Sequence, residues 1–290
     1  MRTVKHPGDP SEKVCDGDSV GRERLFEPVS CGQDDTVPSA TPPSNAPTGP
    51  QTLWLVRHAE SQGNLADLKA QEAGADTLDL DIRDPDVELS DLGKRQSAAL
   101  GKWLAGQAAG EQPDAVLCSP YTRAASTAEI AIREAGLDLE LVRDERLRER
   151  DLGAFDGFTG QGIRAQFPEE STRRKRLGKF YYRPPSGESW ADVAFRVRSV
   201  TEMLEQRYAQ QRVLVVTHQA VAMLFRYVLE SLTEAEVLEI DANKQIANAA
   251  VTRYELQDGR LTLKSFNDVE HLAEFDEPVT EEPDATTVSS

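Results

Sequence analysis

Short runs of consecutive apolar residues alternate along this chain with longer segments in which apolar positions recur at helical spacing. The two strongest runs cover residues 53–56 and 213–216 and contain only Leu, Trp and Val. Runs of this kind are typical of strands that are buried on both faces of a sheet. Each run passes directly into polar residues, the first at Arg57 and the second at Thr217. We therefore predict two central strands, over residues 52–58 and 213–217, that end in polar loops.

The other apolar segments extend this pattern into an alternation of strands and helices. Further strands are predicted over residues 115–118 and 139–142, and a hairpin at the sheet edge over residues 250–256 and 261–266. Helices are predicted over residues 90–106 with Ser90 as N-cap, from Pro120 to about residue 135, and over residues 188–210 and 220–231. This alternation predicts the α/β class: a single doubly wound domain whose mostly parallel central sheet carries helices on both faces.

Composition divides the chain into three parts. Residues 1–50 are rich in Pro, Gly, Ser, Asp and Thr, and residues 271–290 are largely acidic and polar, so neither part buries enough apolar surface to offset its ordering entropy. We predict a disordered leader over residues 1–50, a folded domain over residues 51–270 and an acidic disordered tail over residues 271–290. Either end segment could instead dock a partner. Within the domain, residues 158–187 are predicted to form an inserted helical segment that could act as a lid.

The overall charge narrows the classes of partner. With 50 acidic against 33 basic residues the net charge is -17, which argues against nucleic acid because phosphate backbones repel such a surface. No apolar segment approaches the roughly 18 residues of a membrane span, and the first residues lack the apolar stretch of a secretory signal. Three cysteines do not make a disulfide framework. We expect a cytoplasmic protein without nucleic-acid or membrane partners, and leave open whether it forms a homodimer.

Polar side chains that suit phosphate binding follow three of the predicted strands. They are Arg57, His58, Ser61 and Asn64 after the first strand, Ser119 and Arg123 after the second, and Thr217, His218 and Gln219 after the fourth. The carboxyl ends of parallel strands meet at one edge of a sheet, so these residues are expected in one crevice. Arginine binds phosphate oxygens in a planar, bidentate manner, and the helices that begin after Asn64 and Gln219 add N–H donors.

Two histidines in such a crevice suggest covalent catalysis at phosphorus. Neutral imidazole is a good nucleophile, and a phosphohistidine divides one difficult displacement into two easier ones. The leaving oxygen then needs a proton from an acid, for which the segment over residues 147–157 offers Glu149. Glu145, Asp151 and Asp156 compete with it for that role. No metal or cofactor is expected, since two histidines without clustered carboxylates or thiolates are not a usual ligand set.

Taken together, these segments resemble the histidine phosphatase superfamily, to which the phosphoglycerate mutases belong. The resemblance is carried by residues 57–61 with Asn64, Ser119-Pro120 with Arg123, Glu149 with Gly153 and Gly157, and Thr217-His218. The phrases over residues 89–93 and 186–189 are similar to the family as well. The resemblance covers about residues 52–265 and implies the phosphoglycerate mutase-like fold.

The resemblance also implies a role for each matching residue. His58 corresponds to the nucleophile that is transiently phosphorylated, and Glu149 to the proton donor for the leaving group. The groups that hold the phosphoryl oxygens are by the same correspondence Arg57, Asn64, Arg123 and His218, with Ser61 and Gln219 beside them. Gln219 departs from the pattern, because many members have Gly there, and its larger side chain is expected to reshape the pocket rim.

Most of these residues also have a purely structural explanation. A single His58 or His218 could be a hydrogen-bonded core histidine. Arg123 could be a surface charge on a helix, and Glu149 could be solvated or held in a salt bridge. Cys118 is expected to be a small buried apolar residue. The occurrence of both histidines with two arginines at equivalent strand ends favours the catalytic interpretation.

Two further features bear on the reaction. Aligned on Glu149, Leu152 stands where the mutases carry a substrate-binding Tyr and Gly160 where they carry a Lys, so polar contacts to a phosphoglycerate are absent. The basic run over residues 173–183 could clamp an anionic substrate or face solvent. We therefore expect a phosphomonoester hydrolase that acts on a small phosphorylated metabolite. The alternatives are a phosphoglycerate mutase-type enzyme and a non-catalytic module that binds a phosphorylated ligand.

Overall fold

The computed structural model describes residues 49–281 and is built around one six-stranded sheet. Its strands are β1 (Thr52–Arg57), β2 (Ala115–Cys118), β3 (Leu141–Arg143), β4 (Arg212–Thr217), β5 (Val251–Gln257) and β6 (Arg260–Asp268). They follow the order β3-β2-β4-β1-β5-β6. The first four strands in this order are parallel to one another, β5 is antiparallel to β1, and β6 is antiparallel to β5. The mostly parallel sheet with its edge hairpin confirms the predicted α/β fold.

Helices connect most of the strands within the described residues. They are α1 (Gln62–Glu72), α2 (Asp91–Ala105), α3 (Thr122–Glu134), α4 (Gly160–Gln166), α5 (Pro168–Tyr181), α6 (Trp190–Arg207), α7 (Gln219–Leu229), α8 (Glu234–Asn243) and α9 (Glu270–Glu274). A 3₁₀ turn, Asp84–Asp86, lies in the loop between α1 and α2. The Ser90 hydroxyl accepts a hydrogen bond from the Gly93 N–H at 2.9 Å, which confirms Ser90 as the N-cap of α2.

Alternation along the central strands explains why helices cover both faces of the sheet. Successive side chains of a strand point to opposite faces. Leu53 and Leu55 of β1 belong to a buried cluster with residues of α6 and α7. Trp54 and Val56 belong to a second cluster with residues of α2 and α3. β4 divides between the two clusters in the same way, so both central strands are buried on both faces.

Several element boundaries differ from the predictions. α3 begins at Thr122, so Pro120 precedes the helix instead of occupying its first turn. α1 begins at Gln62 because Ser61 caps it, and Asn64 therefore lies inside the first helical turn. The strand predicted over residues 139–142 is observed as Leu141–Arg143. The helix predicted over residues 188–210 begins at Trp190, because Ser189 caps it, and ends at Arg207.

The folded domain extends past its predicted end at residue 270. α9 and the segment up to residue 281 are part of the described structure, and Leu272 is fully buried. The Asn248 N–H donates to the Thr280 carbonyl at 2.8 Å, and Gln96 Nε2 donates to the Pro278 carbonyl at 2.8 Å. The prediction of a disordered tail is therefore wrong for residues 271–281. Residues 1–48 of the predicted leader and residues 282–290 of the predicted tail lie outside the described residues.

The insertion over residues 158–187 contains α4 and α5, as its helical interpretation predicted. The start of α4 packs closely on the loop after α1. The approach is so close that a Cβ at Gly162 would lie 1.9 Å from the Asp76 carbonyl oxygen. The end of α5 packs on α7, where the rings of Phe180 and Tyr227 lie 5.2 Å apart. Within residues 49–281, no helix combines the length and apolar character needed to span a membrane.

Candidate active site

The two strand-end histidines lie side by side because their strands are neighbours. β1 and β4 are parallel, with Arg57 in register with Thr217. The His58 N–H donates to the Thr217 carbonyl at 2.8 Å, so the chain leaves both strands at the same edge. The rings of His58 and His218 are buried and meet edge to face, with centroids 5.1 Å apart. Strand register alone therefore brings the two histidines together.

Hydrogen bonding indicates the tautomer of His58. Its Nδ1 lies 2.8 Å from the Ala59 carbonyl oxygen, which can only accept, so we assign the proton to Nδ1. Nε2 then carries the lone pair, and Arg123 Nε donates to it at 3.3 Å. Burial, and then the charges of Arg123 and Arg57, lower the pKa of His58 well below its ordinary value. His58 is therefore neutral near pH 7 and presents a nucleophilic nitrogen beside a guanidinium group.

Both predicted phosphate-binding arginines are buried at this edge of the sheet. Arg57 ends β1, and its Nη1 donates to the Ile246 carbonyl at 2.5 Å. Arg123 stands in the first turn of α3. Thr127 Oγ1 donates to the Arg123 carbonyl at 2.7 Å and accepts from the Ala59 N–H at 3.1 Å. This hydroxyl links α3 to the residue after His58, so it ties together the two elements that hold His58 and Arg123.

Arg123 binds a carboxylate that the sequence analysis missed. Its Nη1 lies 2.9 Å from Asp84 Oδ1 and donates to the Asp84 carbonyl at 2.7 Å, while Nη2 donates to Asp84 Oδ2 at 3.3 Å. Asp84 begins the 3₁₀ turn of an acidic loop, and no sequence signal separates it from its neighbour Asp86. Only the path of the loop places it at the site. An anionic ligand of Arg123 has to share or displace this carboxylate.

His218 is held by the residues that follow β2. Its Nε2 lies 2.8 Å from Ser119 Oγ, and the Tyr121 ring meets its ring edge to face at a centroid distance of 5.3 Å. Burial, and then the charges of Arg123, His58 and Arg57, lower the pKa of His218 well below its ordinary value. Its Nδ1 is buried and has no hydrogen-bond partner among residues 49–281. That nitrogen is suited to a phosphoryl oxygen, because leaving it unpaired costs about 1–3 kcal/mol.

Ser61 and Asn64 take part in the start of α1. The Ser61 hydroxyl and the Asn64 side chain form a reciprocal capping box, in which Ser61 Oγ accepts from the Asn64 N–H at 3.2 Å and Asn64 Oδ1 accepts from the Ser61 N–H at 3.0 Å. Asn248, also missed by the sequence analysis, donates to Asn64 Oδ1 at 3.3 Å and to the His58 carbonyl at 3.2 Å. The structure thus places Asn64 beside the backbone of His58, while Ser61 caps the helix that follows.

Gln219 directs its side chain towards the loop before β5. Its Oε1 accepts from the Ile246 N–H at 3.1 Å, and its Nε2 lies 3.5 Å from Asp241 Oδ1. Ile246 is also the residue whose carbonyl binds Arg57. The side chain therefore supports the loop that holds Arg57. The backbone N–H of Gln219, at the first position of α7, is the part suited to an anion.

The candidate proton donor lies on a separate loop, between β3 and the insertion. Glu149 is partly buried, and its Oε1 accepts from the Arg150 N–H at 2.6 Å. Asp156 stands on the same loop, and burial, followed by the charges of Asp84 and Asp151, raises its pKa. A raised pKa suits a carboxyl group to proton donation, so Asp156 remains a competitor to Glu149.

The basic run lies mostly on the exposed surface of α5. Arg173 pairs with Glu170 at 3.4 Å, and Lys179 and Arg183 form ion pairs with Asp241 and Asp192. Arg174 approaches the Glu149 loop, because after burial its charge is the main influence that lowers the pKa of Arg150. The run is therefore divided between ion pairs and Arg174, whose positive charge acts on Arg150, the residue after Glu149.

A neutral histidine nucleophile, two buried arginines and a second neutral histidine make an arrangement suited to phosphoryl transfer. The family model for the histidine phosphatase superfamily (branch 1) matches residues 53–269, which is most of the described chain. The chain belongs to this superfamily. The resemblance inferred from the sequence is thereby confirmed, and with it the expectation of an enzyme family that contains phosphatases and mutases.

Curated relatives of this chain within the histidine phosphatase superfamily are named as phosphoglycerate mutases. The chain is 34% identical over 193 residues to the 2,3-bisphosphoglycerate-dependent phosphoglycerate mutase of Allorhizobium ampelinum, an alignment covering 66% of this chain and 84% of the relative. The enzyme of the same name from Methylobacterium radiotolerans is 34% identical over 191 residues, which cover 65% of this chain and 83% of the relative.

Solved structures of the superfamily carry other names. A mycobacterial glucosyl-3-phosphoglycerate phosphatase is 26% identical with a TM-score of 0.59, and the match covers 76% of this chain and 100% of that one. A putative alpha-ribazole-5'-P phosphatase from Escherichia coli is 22% identical with a TM-score of 0.62 over 75% of this chain and 96% of that one. The second likeness shows the shared fold alone.

Proposed function

We propose that this chain is a phosphomonoester hydrolase that acts through a phosphohistidine at His58. The observation that carries the proposal is the state of His58: a buried neutral imidazole with Nδ1 bound to a carbonyl and Nε2 facing Arg123. An imidazole held in this way has its nucleophilic nitrogen fixed in position and loses no proton on attack.

The first half of the reaction transfers the phosphoryl group to the protein. Arg123 Nε transfers its hydrogen bond from His58 Nε2 to a phosphoryl oxygen of the substrate. The lone pair of Nε2 then forms a bond to phosphorus as the bond between phosphorus and the ester oxygen breaks. Glu149 donates a proton to that oxygen, so the alcohol leaves neutral. Arg57, Arg123 and the Nδ1 of His218 bind the phosphoryl oxygens, over which the charge is spread in the transition state.

The second half returns the protein to its starting state. The ionised Glu149 takes a proton from water while the water oxygen bonds to phosphorus and the phosphorus–nitrogen bond breaks. Inorganic phosphate leaves, and His58 regains its Nε2 lone pair. The two steps balance with this chain, the phosphate ester and one water molecule.

Hydrolysis is favoured by the residues at positions 152 and 160. In the family's mutases a Tyr and a Lys hold the substrate at the positions of Leu152 and Gly160. Here Leu152 is 40% exposed and apolar, and Gly160 offers no side chain. The mycobacterial phosphatase, 26% identical, provides a hydrolytic precedent of similar architecture. A small phosphorylated metabolite is the expected substrate class.

A phosphoglycerate mutase is the second candidate, because curated relatives at 34% identity carry that name. In this case the phosphohistidine passes its phosphoryl group to a second hydroxyl of a phosphoglycerate instead of to water. The two reactions use the same residues around His58 and differ only in the molecule that accepts the phosphoryl group from the phosphohistidine. Only product analysis separates them.

The proposal is tested by a panel of phosphate monoesters with a chelator present, together with 3-phosphoglycerate and a trace of 2,3-bisphosphoglycerate. We expect release of inorganic phosphate, no isomerisation that depends on the bisphosphate, and loss of turnover in His58→Ala. Net isomerisation without phosphate release would establish the mutase. Turnover that survives His58→Ala, or that the chelator abolishes, would refute the proposed mechanism.

A further inference from the structure

The turn over residues 184–189 docks tightly on the loop that carries Glu149. A Cβ at Gly153 would lie 2.2 Å from the Pro185 carbonyl oxygen, and a Cβ at Gly187 would lie 2.6 Å from the Asp151 carbonyl oxygen. The Ala154 N–H donates to the Pro185 carbonyl at 2.9 Å. Such close approach of two backbones requires glycine on both sides, so the turn and the loop form one unit.

The carboxylate of Glu188 lies at the centre of this unit. It accepts from Arg148 Nη2 at 2.7 Å, from Arg196 Nε and Nη2 at 3.1 Å each, and from the Asp151 N–H at 3.1 Å. Burial alone would raise the pKa of Glu188, but hydrogen bonding to Arg196 and the charges of Arg196 and Arg148 lower it. Glu188 is therefore ionised in the folded protein, and its carboxylate binds Arg148, Arg196 and the backbone of Asp151 together.

Arg196 of α6 extends the connection to the backbone of Glu149. Its Nη2 donates to the Glu149 carbonyl at 3.2 Å, and its Nη1 donates to the Arg146 carbonyl at 2.6 Å. On the other side, Arg150 Nε donates to the Glu188 carbonyl at 2.7 Å. The backbone on both sides of the Glu149 side chain is thus fixed to Glu188 and Arg196.

We propose that Glu188 is a positioning residue for proton donation by Glu149. It does not touch the substrate; it acts by orienting Arg196 and the peptide groups next to Glu149. Proton transfer needs heavy atoms within about 2.6–3.2 Å, so a small displacement of the loop removes much of its effect. This inference rests on the proposed function and extends it to a residue outside the pocket.

A purely structural role for Glu188 makes a different prediction. Loss of loop stability alone would slow all substrates to a similar degree or lower the amount of folded protein. Loss of proton donation slows substrates in proportion to the basicity of their leaving group, because a phenolate with electron-withdrawing groups leaves without a proton and an alkoxide does not. The leaving-group dependence therefore separates the two roles.

The experiment compares Glu188→Gln with wild type on p-nitrophenyl phosphate and on an alkyl phosphate. We expect kcat/KM, which reports transfer of the phosphoryl group to His58 and not the later attack of water, to fall about 30-fold for the alkyl ester and by less than about threefold for the aryl ester. Glu149→Gln should show the same preference for the aryl ester. The double variant should lose little more than Glu149→Gln alone, because the two residues act as a unit.

Glu230→Gln is the matched control. Glu230 has similar exposure and binds Arg226 through both oxygens at 2.7 and 2.8 Å, but it follows α7 at the end remote from His218. Its loss should affect both substrates equally. If Glu188→Gln does not fold, Arg196→Lys serves instead, because it keeps the charge beside Glu188 and removes the fork that reaches Glu149.

Three results are decisive. A selective loss on the alkyl ester supports the positioning role. Equal losses on both esters, or wild-type rates in Glu188→Gln, overturn the positioning role and leave the proposed function standing. A wild-type protein that hydrolyses neither ester overturns the proposed function and this inference together.

Discussion

At the scale of single residues, the chemistry of the site depends on which nitrogen of each histidine is hydrogen-bonded to the protein. The Ala59 carbonyl fixes one nitrogen of His58, and the Ser119 hydroxyl engages one nitrogen of His218. The sequence predicted both histidines because each follows an apolar strand. It did not predict Asp84 or Asn248, because both lie in loops whose path depends on packing and leaves no periodic signal. Their acidic and amide side chains are equally typical of solvent-exposed turns.

Asp84 leads to a prediction about phosphate affinity. Its carboxylate occupies the Nη1 and Nη2 side of Arg123, so it opposes an incoming phosphate both by competition and by like charge. Asp84→Asn should tighten the binding of inorganic phosphate about fivefold to tenfold, as measured by titration calorimetry. Asp86→Asn is the control, because Asp86 lies two residues away and pairs with Arg83 alone among the described ion pairs. Weaker binding in Asp84→Asn would mean that Asp84 orients Arg123 for phosphate instead of competing with it.

At the scale of elements, buried strands were the most predictable part of the chain. Apolar runs located β1, β2 and β4, and hydrogen-bonding side chains such as Ser90 located helix starts. Boundaries were less predictable, because a cap residue and the packing of the next element decide where a helix ends. The segment over residues 271–281 was misjudged for a related reason: its composition is acidic, yet two of its apolar side chains, Leu272 and Phe275, pack in the core.

The start of α2 supports the loop after His58 through a very close contact. A Cβ at Gly93 would lie 1.9 Å from the Glu60 carbonyl oxygen, two residues after His58. The same carbonyl accepts from the Ser90 N–H at 3.0 Å, and the Glu60 N–H donates to Gln96 Oε1 at 2.9 Å. The cap and the first two turns of α2 therefore hold both the N–H and the carbonyl of Glu60.

Gly93→Ala should therefore lower the free energy of unfolding by about 1–3 kcal/mol, as measured by urea denaturation, and should reduce phosphate-ester turnover. Gly106→Ala, at the other end of α2, is the control. Its Cβ would meet the nearest atom at 3.5 Å, so the substitution should leave stability within about 0.5 kcal/mol of wild type. Equal effects of the two substitutions would show that the contact at Glu60 is not a constraint.

At the scale of the whole molecule, buried neutral histidines make stability depend on pH. Burial is the main cause that lowers the pKa of His58 and His218, and it lowers the pKa of His271 to about 4. In the unfolded chain a histidine has a pKa of about 6.5. Below that pH the unfolded state binds protons that the folded state does not, so stability falls as pH falls.

Each of the three histidines should contribute up to about 1.4 kcal/mol per pH unit between pH 6.5 and its lowered pKa. Urea denaturation from pH 7.5 to pH 5 should therefore show little change at the upper end and a loss of stability that steepens as pH falls through about 6.5. His271→Gln should reduce the slope by about one proton without touching the active site. A stability that is constant or rises as pH falls through this range would contradict the neutral, buried state of these side chains.

The central claim, covalent catalysis at His58, is tested most directly by trapping the intermediate. The protein is mixed rapidly with a phosphate ester labelled at phosphorus, quenched in alkali and mapped by peptide mass. We predict label on the peptide that contains His58, lost on acid treatment, absent in His58→Ala, and followed in wild type by inorganic phosphate. Turnover without covalent label, or label on a residue other than His58, would contradict the account.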